Sequence, residues 1–361
     1  MKIKAAVIWE AGGPFSIEEV DLAAPKADEV LVRNVASGIC HTDEVARAQQ
    51  IPVPLPAVLG HEGCGIVEEA GGNVTEFKRG DHVLFSYGYC GSCNSCLAAR
   101  HSMCDRINDI NFQGVMADGT SRLSKDGKKL SCFFGQSSFA THSVINRLSV
   151  VKVGDDIDLA VTAPLGCGIQ TGAGTVLNRL RPEFGSSLAV FGCGSVGMSA
   201  IMAAKIAGCE KIIAVGGNIK SLGLALELGA THAINRRQCG DIISRLKEIT
   251  GGGLQYAIDT SGVSDIIRTA LKSLHTGGTA AVVGASGEIK LHIPSEIMNK
   301  SLIGVVEGDA VSKLFIPKLL KYYKTGRFPF DRLITYFDFS EINRAASQSL
   351  SGEVIKAVLR F

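Results

Sequence analysis

The sequence predicts an α/β fold in which a doubly wound parallel sheet, wrapped by helices, is inserted into a split domain that is mainly β. Three observations indicate this organisation. Residues 1–168 contain short β-type segments separated by Gly, Pro and Asp, residues 169–305 alternate short apolar strands with helix-like stretches, and residues 306–361 return to mixed elements. Strand, helix and strand at this spacing are typical of a parallel sheet covered by helices.

The individual segments follow two different periods. β-branched residues and alternation predict strands in the first part, in KIKAAVIW, EVLVRNVASG, GCGIVEEAG, DHVLFSYG and FATHSVI. In the second part the strands SLAVFG, KIIAVGG, YAIDTSG and TAAVVGAS alternate with the helix-like VGMSAIMAAKIAG, SLGLALELGA, DIISRLKEIT and VSDIIRTALKSL. The chain ends in the strand-like VIKAVLRF.

Length and composition restrict the class of protein. A chain of 361 residues with 46% hydrophobic and 20% charged residues favours two ordinary globular domains. Lys+Arg 37 against Asp+Glu 35 gives no basic excess, so we expect no nucleic-acid partner. No run approaches the ~18 apolar residues of a membrane span, and the apolar stretch before Glu10 is too short for a signal peptide. With eleven cysteines and no export signal, we expect a cytoplasmic protein without a membrane partner.

Four cysteines form the clearest motif, C-x2-C-x2-C-x7-C, at Cys90, Cys93, Cys96 and Cys104. Four thiolates at this spacing suit a tetrahedral Zn²⁺ with every coordination position filled, which is typical of a structural zinc. A bacterial iron–sulfur motif has a shorter last gap and a proline after its final cysteine, whereas Asp105 follows here. The motif therefore predicts a site that stabilises a loop and performs no chemistry.

A glycine-rich loop follows the strand SLAVF. Gly192, Gly194 and Gly197 form G-x-G-x-x-G and precede the helix-like VGMSAIMAAKIAG. The first glycine permits a tight turn, the second lets the backbone approach a pyrophosphate, and the third lets the helix pack on the strand. In this context the motif predicts a Rossmann dinucleotide-binding domain.

The end of the next strand, KIIAV, bears on the choice of dinucleotide. An acidic residue here would bind the adenosine ribose hydroxyls, but the sequence has Gly216, Gly217, Asn218 and, two residues on, Lys220. Without the carboxylate a 2′-phosphate is not repelled, the glycines leave room for it, and Lys220 offers a positive charge. We therefore expect NADP(H) to be favoured over NAD(H); the alternative is a loop that binds either cofactor weakly.

Three dispersed residues supply a second metal site. Cys40, His61 and Cys167 would fill three positions of a tetrahedral zinc and leave the fourth free for water or substrate, as in a catalytic site. Each residue alone has an ordinary explanation as a buried thiol or a hydrogen-bonded imidazole. Their occurrence together, beside the four-cysteine motif and the dinucleotide loop, favours the catalytic reading and predicts two Zn²⁺ per chain.

With these motifs the chain resembles the zinc-dependent medium-chain alcohol dehydrogenases over essentially its whole length. The matching stretches are G-I-C-H-T-D (38–43), G-H-E (60–62), the four-cysteine motif, D-G-T-S-R (118–122), G-C-G-I-Q-T-G (166–172), G-C-G-S-V-G (192–197) and G-A-S (284–286). Within the family it looks most like aryl or benzyl alcohol dehydrogenases, on S-Y-G-Y-C-G-S-C (86–93) and F-F-G-Q-S-S-F-A-T-H (133–142). The resemblance implies a GroES-like catalytic domain (1–168 and 306–361), a Rossmann domain (169–305) and a homodimer or homotetramer.

The resemblance also implies roles at the catalytic zinc. Glu62 would lie near enough to enter the metal's shell beside its three ligands, Asp43 would accept the second N–H of His61, and Thr42 would take the proton of the alcohol. Position 45, where many members continue the proton relay with histidine, is Val45, so we expect His41 to take the proton instead. The reaction expected is reversible oxidation of an alcohol to the carbonyl compound with hydride transfer to the nicotinamide.

Further roles concern the cofactor and the substrate. Thr171 and Val196 would press on the nicotinamide ring, and His41 and Lys356 would face the pyrophosphate. Residues expected to line a wide apolar slot for a benzyl or cinnamyl alcohol are Ser86, Phe133, Phe134 and Ala285. The two phenylalanines have an equal alternative as packing residues. A broad or aliphatic alcohol dehydrogenase and a thiol-dependent formaldehyde dehydrogenase are the alternative activities.

Overall fold

The computed structural model describes residues 1–284 and 287–361, so Ala285 and Ser286 lie outside the described residues. The strands of the described residues are β1 (Lys2–Ile8), β2 (Ser16–Leu22), β3 (Glu29–Gly38), β4 (Ala57–Val58), β5 (Glu62–Ala70), β6 (His82–Phe85), β7 (Leu123–Lys125), β8 (Lys128–Cys132), β9 (His142–Asn146), β10 (Val150–Lys152), β11 (Ser187–Phe191), β12 (Lys211–Gly216), β13 (His232–Asn235), β14 (Leu254–Asp259), β15 (Leu274–Val282), β16 (Ser301–Gly304), β17 (Ile334–Asp338) and β18 (Lys356–Arg360).

Helices connect these strands. The α-helices of the described residues are α1 (His41–Arg47), α2 (Asn94–Leu97), α3 (Ile107–Phe112), α4 (Leu159–Thr162), α5 (Gly168–Gly174), α6 (Ser195–Ala207), α7 (Ile219–Leu228), α8 (Ile242–Thr250), α9 (Ser264–Ser273), α10 (Ser312–Lys324) and α11 (Ile342–Ser351). Shorter 3-10 or π-helical segments are His101–Met103, Arg147–Ser149, Ala163–Gly166, Thr175–Leu180, Ile293–Ile297, Glu307–Asp309, Phe330–Leu333 and Phe339–Glu341. Among helices of the described residues, none has the length and apolar character needed to cross a bilayer.

The chain divides into two compact units. The first consists of Met1–Gly168, Val311–Pro317 and Asp331–Phe361, and the second of Ile169–Ala310 and Lys318–Phe330. The second unit is thus inserted between parts of the first. Residues 306–310 and 318–330 group with the second unit. The domain bounds 1–168 with 306–361, and 169–305, remain a prediction.

The first unit is built mainly from β-structure. Strands β1, β2, β7, β8 and β4 form a closed barrel, in which β4 pairs antiparallel with β1 and parallel with β8. A second sheet has the order β10-β6-β5-β3-β18-β17, with β9 also pairing with β3. Because β3 pairs with β5, β9 and β18, it is buried along nearly all its length, which explains its apolar sequence EVLVRNVASG.

A buried ion-pair network connects separate segments of the first unit. The guanidinium of Arg122, in the D-G-T-S-R stretch, is 4% exposed and donates from Nη2 to Glu29 Oε1 at 2.6 Å and to Asp118 Oδ2 at 2.8 Å. Its Nε also donates to Glu29 Oε2 at 2.8 Å. The planar guanidinium of Arg122 thus forms two hydrogen bonds to Glu29 and one to Asp118, which uses the forked arrangement of its donors.

The second unit contains a parallel sheet that, over the described residues, has the order β13-β12-β11-β14-β15-β16. All of these neighbouring pairs are parallel. The order reverses between β11 and β14, which creates the switch point where ligands bind at the carboxyl ends of strands in doubly wound sheets. The predicted α/β class, with a GroES-like part and a Rossmann-like sheet, is confirmed.

Candidate active site and metal centres

The four-cysteine motif forms a compact metal site in the first unit. The sulfur atoms of Cys90, Cys93, Cys96 and Cys104 all lie within 4.8 Å of one another. Cys90 Sγ and Cys96 Sγ are 3.8 Å apart, which is the separation of about 3.8 Å expected for two sulfurs each ~2.3 Å from a tetrahedral zinc. The donor set therefore fits zinc.

Backbone N–H groups surround the sulfur atoms of this motif. Cys93 N and Ser92 N donate to Cys90 Sγ at 3.3 and 3.5 Å, and Cys90 N and Arg106 N donate to Cys104 Sγ at 3.3 and 3.4 Å. The bond from Ser92, followed by that from Cys93, lowers the pKa of Cys90 to about 6. Such donors stabilise thiolates, the form of cysteine that binds metal.

The second cluster brings together residues from distant segments of the first unit. One ligand atom from each of Cys40, His61, Glu62 and Cys167 lies within 4.8 Å of the others. Cys40 follows β3 as the residue before α1, His61 and Glu62 stand at the start of β5, and Cys167 precedes α5. The two sulfurs and the imidazole suit a zinc that keeps an open position.

One carboxylate orients two members of this cluster. Asp43, fully buried in the first turn of α1, accepts from His61 Nδ1 at 2.9 Å through Oδ1 and from Cys40 N at 3.0 Å through Oδ2. Gly60 N also donates to Oδ1 at 3.0 Å. The hydrogen bond fixes the ring orientation of His61 and directs its other nitrogen into the cluster, as is usual for a histidine ligand.

The state of His61 Nε2 tests whether the cluster fits a metal. Among the described residues this nitrogen is buried and has no hydrogen-bond partner. Burial lowers the pKa of His61, but the Asp43 carboxylate and Cys40 outweigh it and raise this pKa well above the usual value. A hydrogen bond with Cys167 first, and then His61 and Lys356, hold the pKa of Cys40 well below its usual value. A buried imidazole nitrogen without a partner beside a thiolate is what a zinc ligand set requires.

Glu62 is paired with a buried lysine. Lys356 Nζ, on β18, lies 3.0 Å from Glu62 Oε1 and 2.8 Å from Oε2, and it donates to Ile39 O at 3.0 Å. Both side chains are at most 1% exposed. The expectation that Lys356 faces the pyrophosphate does not fit this position, because its ammonium is enclosed and its hydrogen bonds go to Glu62 and Ile39.

Burial and charge act in opposite directions on the pKa of Glu62. Burial raises it, Lys356 lowers it, and the net result is a raised pKa. Gly168 N donates to Glu62 Oε1 at 3.0 Å, so the carboxylate is held from two sides.

The residues expected to move the proton begin α1. Thr42 Oγ1 lies 3.7 Å from Cys40 Sγ, and His41 is exposed. Val45 is on the same helix, and its aliphatic side chain cannot accept or donate a proton. Their positions therefore allow a path from the metal cluster towards solvent that passes through Thr42 and His41, which remains a prediction.

Aromatic rings cover the imidazole of His61. The ring of Phe134 is stacked on it, with centroids 4.4 Å apart and planes 23° apart, and Phe133 meets it edge-on at 5.5 Å. Phe112, at the end of α3, contacts Phe134 at 5.2 Å and Phe133 at 6.0 Å. Sequence reasoning missed Phe112, because a single aromatic residue in the polar segment INDINF gives no signal of a site.

The backbone holds Phe134 in an unusual conformation. Its φ is 53°, in the left-handed region that bulky residues rarely adopt. The turn is fixed by Phe134 N donating to Asn111 O at 2.9 Å and by Ser137 Oγ, which accepts from Phe133 N at 3.0 Å and donates to Val58 O at 2.8 Å. Surrounding hydrogen bonds thus keep the ring against His61.

The remaining predicted pocket residues are differently placed. Ser86 is 1% exposed, and its hydroxyl donates to Gly166 O at 2.8 Å, next to Cys167. Its Oγ also lies 2.9 Å from Ser312 Oγ. Ala285 lies outside the described residues.

The glycine loop of the second unit has the geometry expected for a dinucleotide. Gly192 has φ 107°, and a methyl group on it would collide with Thr260 Oγ1. A methyl group on Gly197 would collide with Gly192 O and lie 3.3 Å from Val190 Cγ1, whereas one on Gly194 would meet nothing within 4 Å. The first glycine therefore makes the turn, the third lets α6 pack on β11, and the second leaves its backbone open to a ligand.

The helix that carries Thr171 packs against the start of α6 at Val196. A methyl group on Gly172, the neighbour of Thr171 in α5, would collide with Val196 O at the start of α6. Thr171 is 8% exposed, and its hydroxyl lies 3.4 Å from Glu307 Oε2. Their proposed contact with the nicotinamide remains a prediction.

The loop after β12 differs from the expectation that its glycines leave open room for a 2′-phosphate. Asn218 caps α7 by accepting from Lys220 N at 2.9 Å, and Lys220 itself is exposed. The space beside Gly216 and Gly217 is not empty. A methyl group on Gly216 would lie 2.9 Å from Cys193 Sγ, and one on Gly217 would approach two arginine side chains.

The fold and these clusters define a class: dehydrogenases that combine a dinucleotide-binding sheet with a zinc site open to substrate and a second, closed zinc site. Two families match the sequence. The zinc-binding dehydrogenase family covers residues 195–320, and the alcohol dehydrogenase GroES-like domain covers residues 26–155.

Individual relatives agree with the families. Geraniol dehydrogenase from Castellaniella defragrans is 44% identical over 99% of this chain and 97% of its own length. The structure of an alcohol dehydrogenase zinc-binding domain protein from Burkholderia ambifaria has a TM-score of 0.97 at 46% identity, covering 100% of this chain and 99% of the other. Benzyl alcohol dehydrogenase from Acinetobacter calcoaceticus has a TM-score of 0.96 at 42% identity, with the same coverage of each chain.

The chain therefore belongs to the zinc-containing medium-chain alcohol dehydrogenases, and it is a zinc-dependent alcohol dehydrogenase.

Proposed function

We propose that this enzyme catalyses the reversible oxidation of a primary aromatic alcohol, of the benzyl or cinnamyl type, to its aldehyde, with NADP(H) favoured over NAD(H). The observation that carries the substrate class is the stacking of Phe134 on His61 at 4.4 Å, with Phe133 edge-on to the same imidazole. Phe133 is fully buried and Phe134 is 6% exposed, so Phe134 is the ring that supplies an apolar wall for a planar substrate.

The substrates named for two relatives share one feature with benzyl and cinnamyl alcohol. One relative is a geraniol dehydrogenase and another a benzyl alcohol dehydrogenase. Geraniol and benzyl alcohol are primary alcohols whose carbinol carbon adjoins an sp² carbon. A flat, unsaturated group next to the reacting carbon is therefore the shared feature that we propose for the substrate of this chain.

The residues divide the work between binding, orientation and proton transfer. Cys40, His61 and Cys167 would hold the zinc, and Asp43 keeps His61 and Cys40 in place through bonds of 2.9 and 3.0 Å. A bound zinc would supply Lewis-acid polarisation of the alcohol oxygen, and a bound nicotinamide would supply the hydride acceptor. Thr42 takes the proton of the alcohol hydroxyl. A second side chain then carries this proton to solvent.

His41 is proposed to receive that proton and release it to solvent, since it is exposed and adjoins Thr42 on α1. Replacing it by arginine, as in His41→Arg, keeps a nitrogen-containing polar side chain but removes the imidazole, which can accept and release a proton. We expect the pH dependence of kcat to change in this variant. An unchanged pH–rate profile would contradict the role of His41.

A substrate panel tests the proposed alcohol. We expect a higher kcat/KM for benzyl and cinnamyl alcohol than for ethanol or hexan-1-ol. Phe134→Leu should lower kcat/KM for benzyl alcohol by about three- to tenfold, because one ring contact is lost, and change that for hexan-1-ol less. Phe139→Leu is the matched control, since that ring packs on Phe15 at 5.6 Å.

The proposal fails if short aliphatic alcohols have the higher kcat/KM, or if turnover of formaldehyde requires added thiol. The first result indicates a general aliphatic alcohol dehydrogenase and the second a formaldehyde dehydrogenase. Equal effects of Phe134→Leu on aromatic and aliphatic alcohols would also contradict the assigned contact.

The cofactor preference rests on Gly216 and Gly217, which stand where a carboxylate would bind the ribose hydroxyls and repel a 2′-phosphate. We expect kcat/KM for NADP to exceed that for NAD at equal alcohol concentration. A clear preference for NAD would contradict the proposal.

We also propose a cytoplasmic homodimer or homotetramer. All eleven cysteines are free thiols, and both zinc sites need reduced cysteines, which suits a reducing compartment. Light scattering on the purified protein tests the assembly, and a monomer would contradict it. Cell fractionation tests the location.

A further inference from the structure

Two arginines border the loop that follows β12. In the parallel sheet Gly216 of β12 pairs with Asn235 of β13, so the segments after these strands emerge side by side. The segment after β13 begins Arg236-Arg237, and Arg236 N donates to Gly216 O at 2.8 Å. The register of the sheet thus brings Arg236 and Arg237 to the loop formed by Gly216, Gly217 and Asn218.

The side chains of both arginines lie against Gly217. A methyl group on Gly217 would lie 3.0 Å from Arg237 Nε and 3.4 Å from Arg236 Nε. Both arginines are exposed. Within residues 1–284 and 287–361 neither guanidinium forms an ion pair with a carboxylate, so both charges are available to a ligand.

The position of this pair in the fold specifies the ligand. In a doubly wound sheet the end of the strand after the glycine loop receives the adenosine ribose, where a carboxylate selects the free 2′-hydroxyl and an arginine accommodates a 2′-phosphate. Here the strand ends in glycine, and the two nearest cations are planar guanidinium groups, which bind phosphate oxygens in pairs of hydrogen bonds.

We propose that Arg236 and Arg237 form the binding site for the 2′-phosphate of the cofactor, and that Lys220 is not required for it. The inference rests on the proposed preference for NADP(H) and names the residues that produce it. The absence of a side chain at Gly217 is part of the site, because a methyl group there would lie 3.0 Å from Arg237 Nε, so that Arg237 would have to shift.

Binding of adenosine fragments tests the site without turnover. The zinc-loaded full-length protein is titrated calorimetrically with adenosine 2′,5′-bisphosphate and with 5′-AMP, which differ by the 2′-phosphate. We expect the unmodified protein to bind the bisphosphate at least about tenfold more tightly, since charge-assisted hydrogen bonds to a phosphate are worth that much or more. The double variant Arg236→Gln/Arg237→Gln should bind the two ligands equally, with the affinity for 5′-AMP retained.

Two further variants serve as controls. Lys220→Gln should keep the preference for the bisphosphate, and so should Arg245→Gln, which removes another exposed arginine of the same unit, on α8. Circular dichroism and melting temperature confirm that each variant is folded.

The outcomes separate this inference from the proposed function. If the unmodified protein binds the two fragments equally, both the NADP(H) preference and the arginine site are wrong. If it prefers the bisphosphate and the double variant prefers it equally, the cofactor preference stands and the arginine site is overturned. Loss of the preference in Lys220→Gln instead would assign the phosphate to that lysine.

Discussion

Substitution of Asp43 by asparagine is expected to weaken the catalytic zinc site selectively. Asp43 Oδ1 accepts from His61 Nδ1 and Gly60 N, and Oδ2 accepts from Cys40 N. Asparagine retains one oxygen, and its NH₂ group must face an N–H donor in either orientation. The best orientation keeps the bond to His61 and loses that to Cys40.

The size of the effect follows from that lost bond. A hydrogen bond to a charged acceptor contributes about 1.5–3 kcal/mol, and 1.4 kcal/mol corresponds to tenfold in an equilibrium constant. We therefore expect zinc affinity to fall by about 10- to 100-fold, which agrees with the usual effect of removing the partner of a ligating histidine. The four-cysteine site makes no contact with Asp43 and should keep its zinc.

The assay is zinc content per chain after equilibration in chelator buffers of graded free zinc. Unmodified protein and Asp43→Asn should release one zinc at the same free concentration, that of the four-cysteine site. The variant should release the other at about 10- to 100-fold higher free zinc.

Asp81→Asn is the matched control for this experiment. It alters another buried aspartate of the first unit, which pairs with Lys152 at 2.7 Å away from both metal sites. Equal zinc affinity in Asp43→Asn and the unmodified protein, or loss of both zincs together, would refute the reasoning.

Three further predictions concern stability. Cys96→Ser should remove the four-cysteine zinc and lower the melting temperature by about 5 °C or more, while kcat per catalytic zinc is retained; lost activity at an unchanged melting temperature would contradict this. Arg122→Met leaves the buried Glu29 carboxylate without its cation and should cost about 3–5 kcal/mol in urea unfolding. Lys26→Met removes the exposed cation that pairs with Asp118 and should cost less than about 1 kcal/mol; equal costs would contradict the difference in burial. Glu296 is held at a pKa of about 2, first by Arg268. Its contribution is complete above the unfolded value of 4.5 and is lost as pH falls towards 2. The difference in melting temperature between unmodified protein and Glu296→Gln should therefore shrink below pH 4.5, and a difference independent of pH would contradict the pairing.

Local patterns in the sequence were sufficient for the fold class and for the composition of both metal clusters. Period and turn residues are local properties, so they predicted the mainly β part and the parallel sheet. Metal ligands are recognisable by residue type and spacing, and the structure brings Cys40, His61 and Cys167 together. The grouping of residues 306–330 follows from packing, which places 311–317 in the first unit and 306–310 and 318–330 in the second.

Only the tertiary structure decided the partners of charged and aromatic side chains. Lys356 and Glu62 are 294 residues apart in sequence, and β18 brings them together. The stacking of Phe134 on His61 depends on a turn held by Asn111 and Val58, and the approach of Arg237 to Gly217 depends on the register between β12 and β13. A sequence specifies which groups are present and the local period of their segments. Long-range strand pairing decides which charged side chains lie next to each other. The register of that pairing sets the distances between residues that are far apart in the sequence, and local sequence patterns do not determine it.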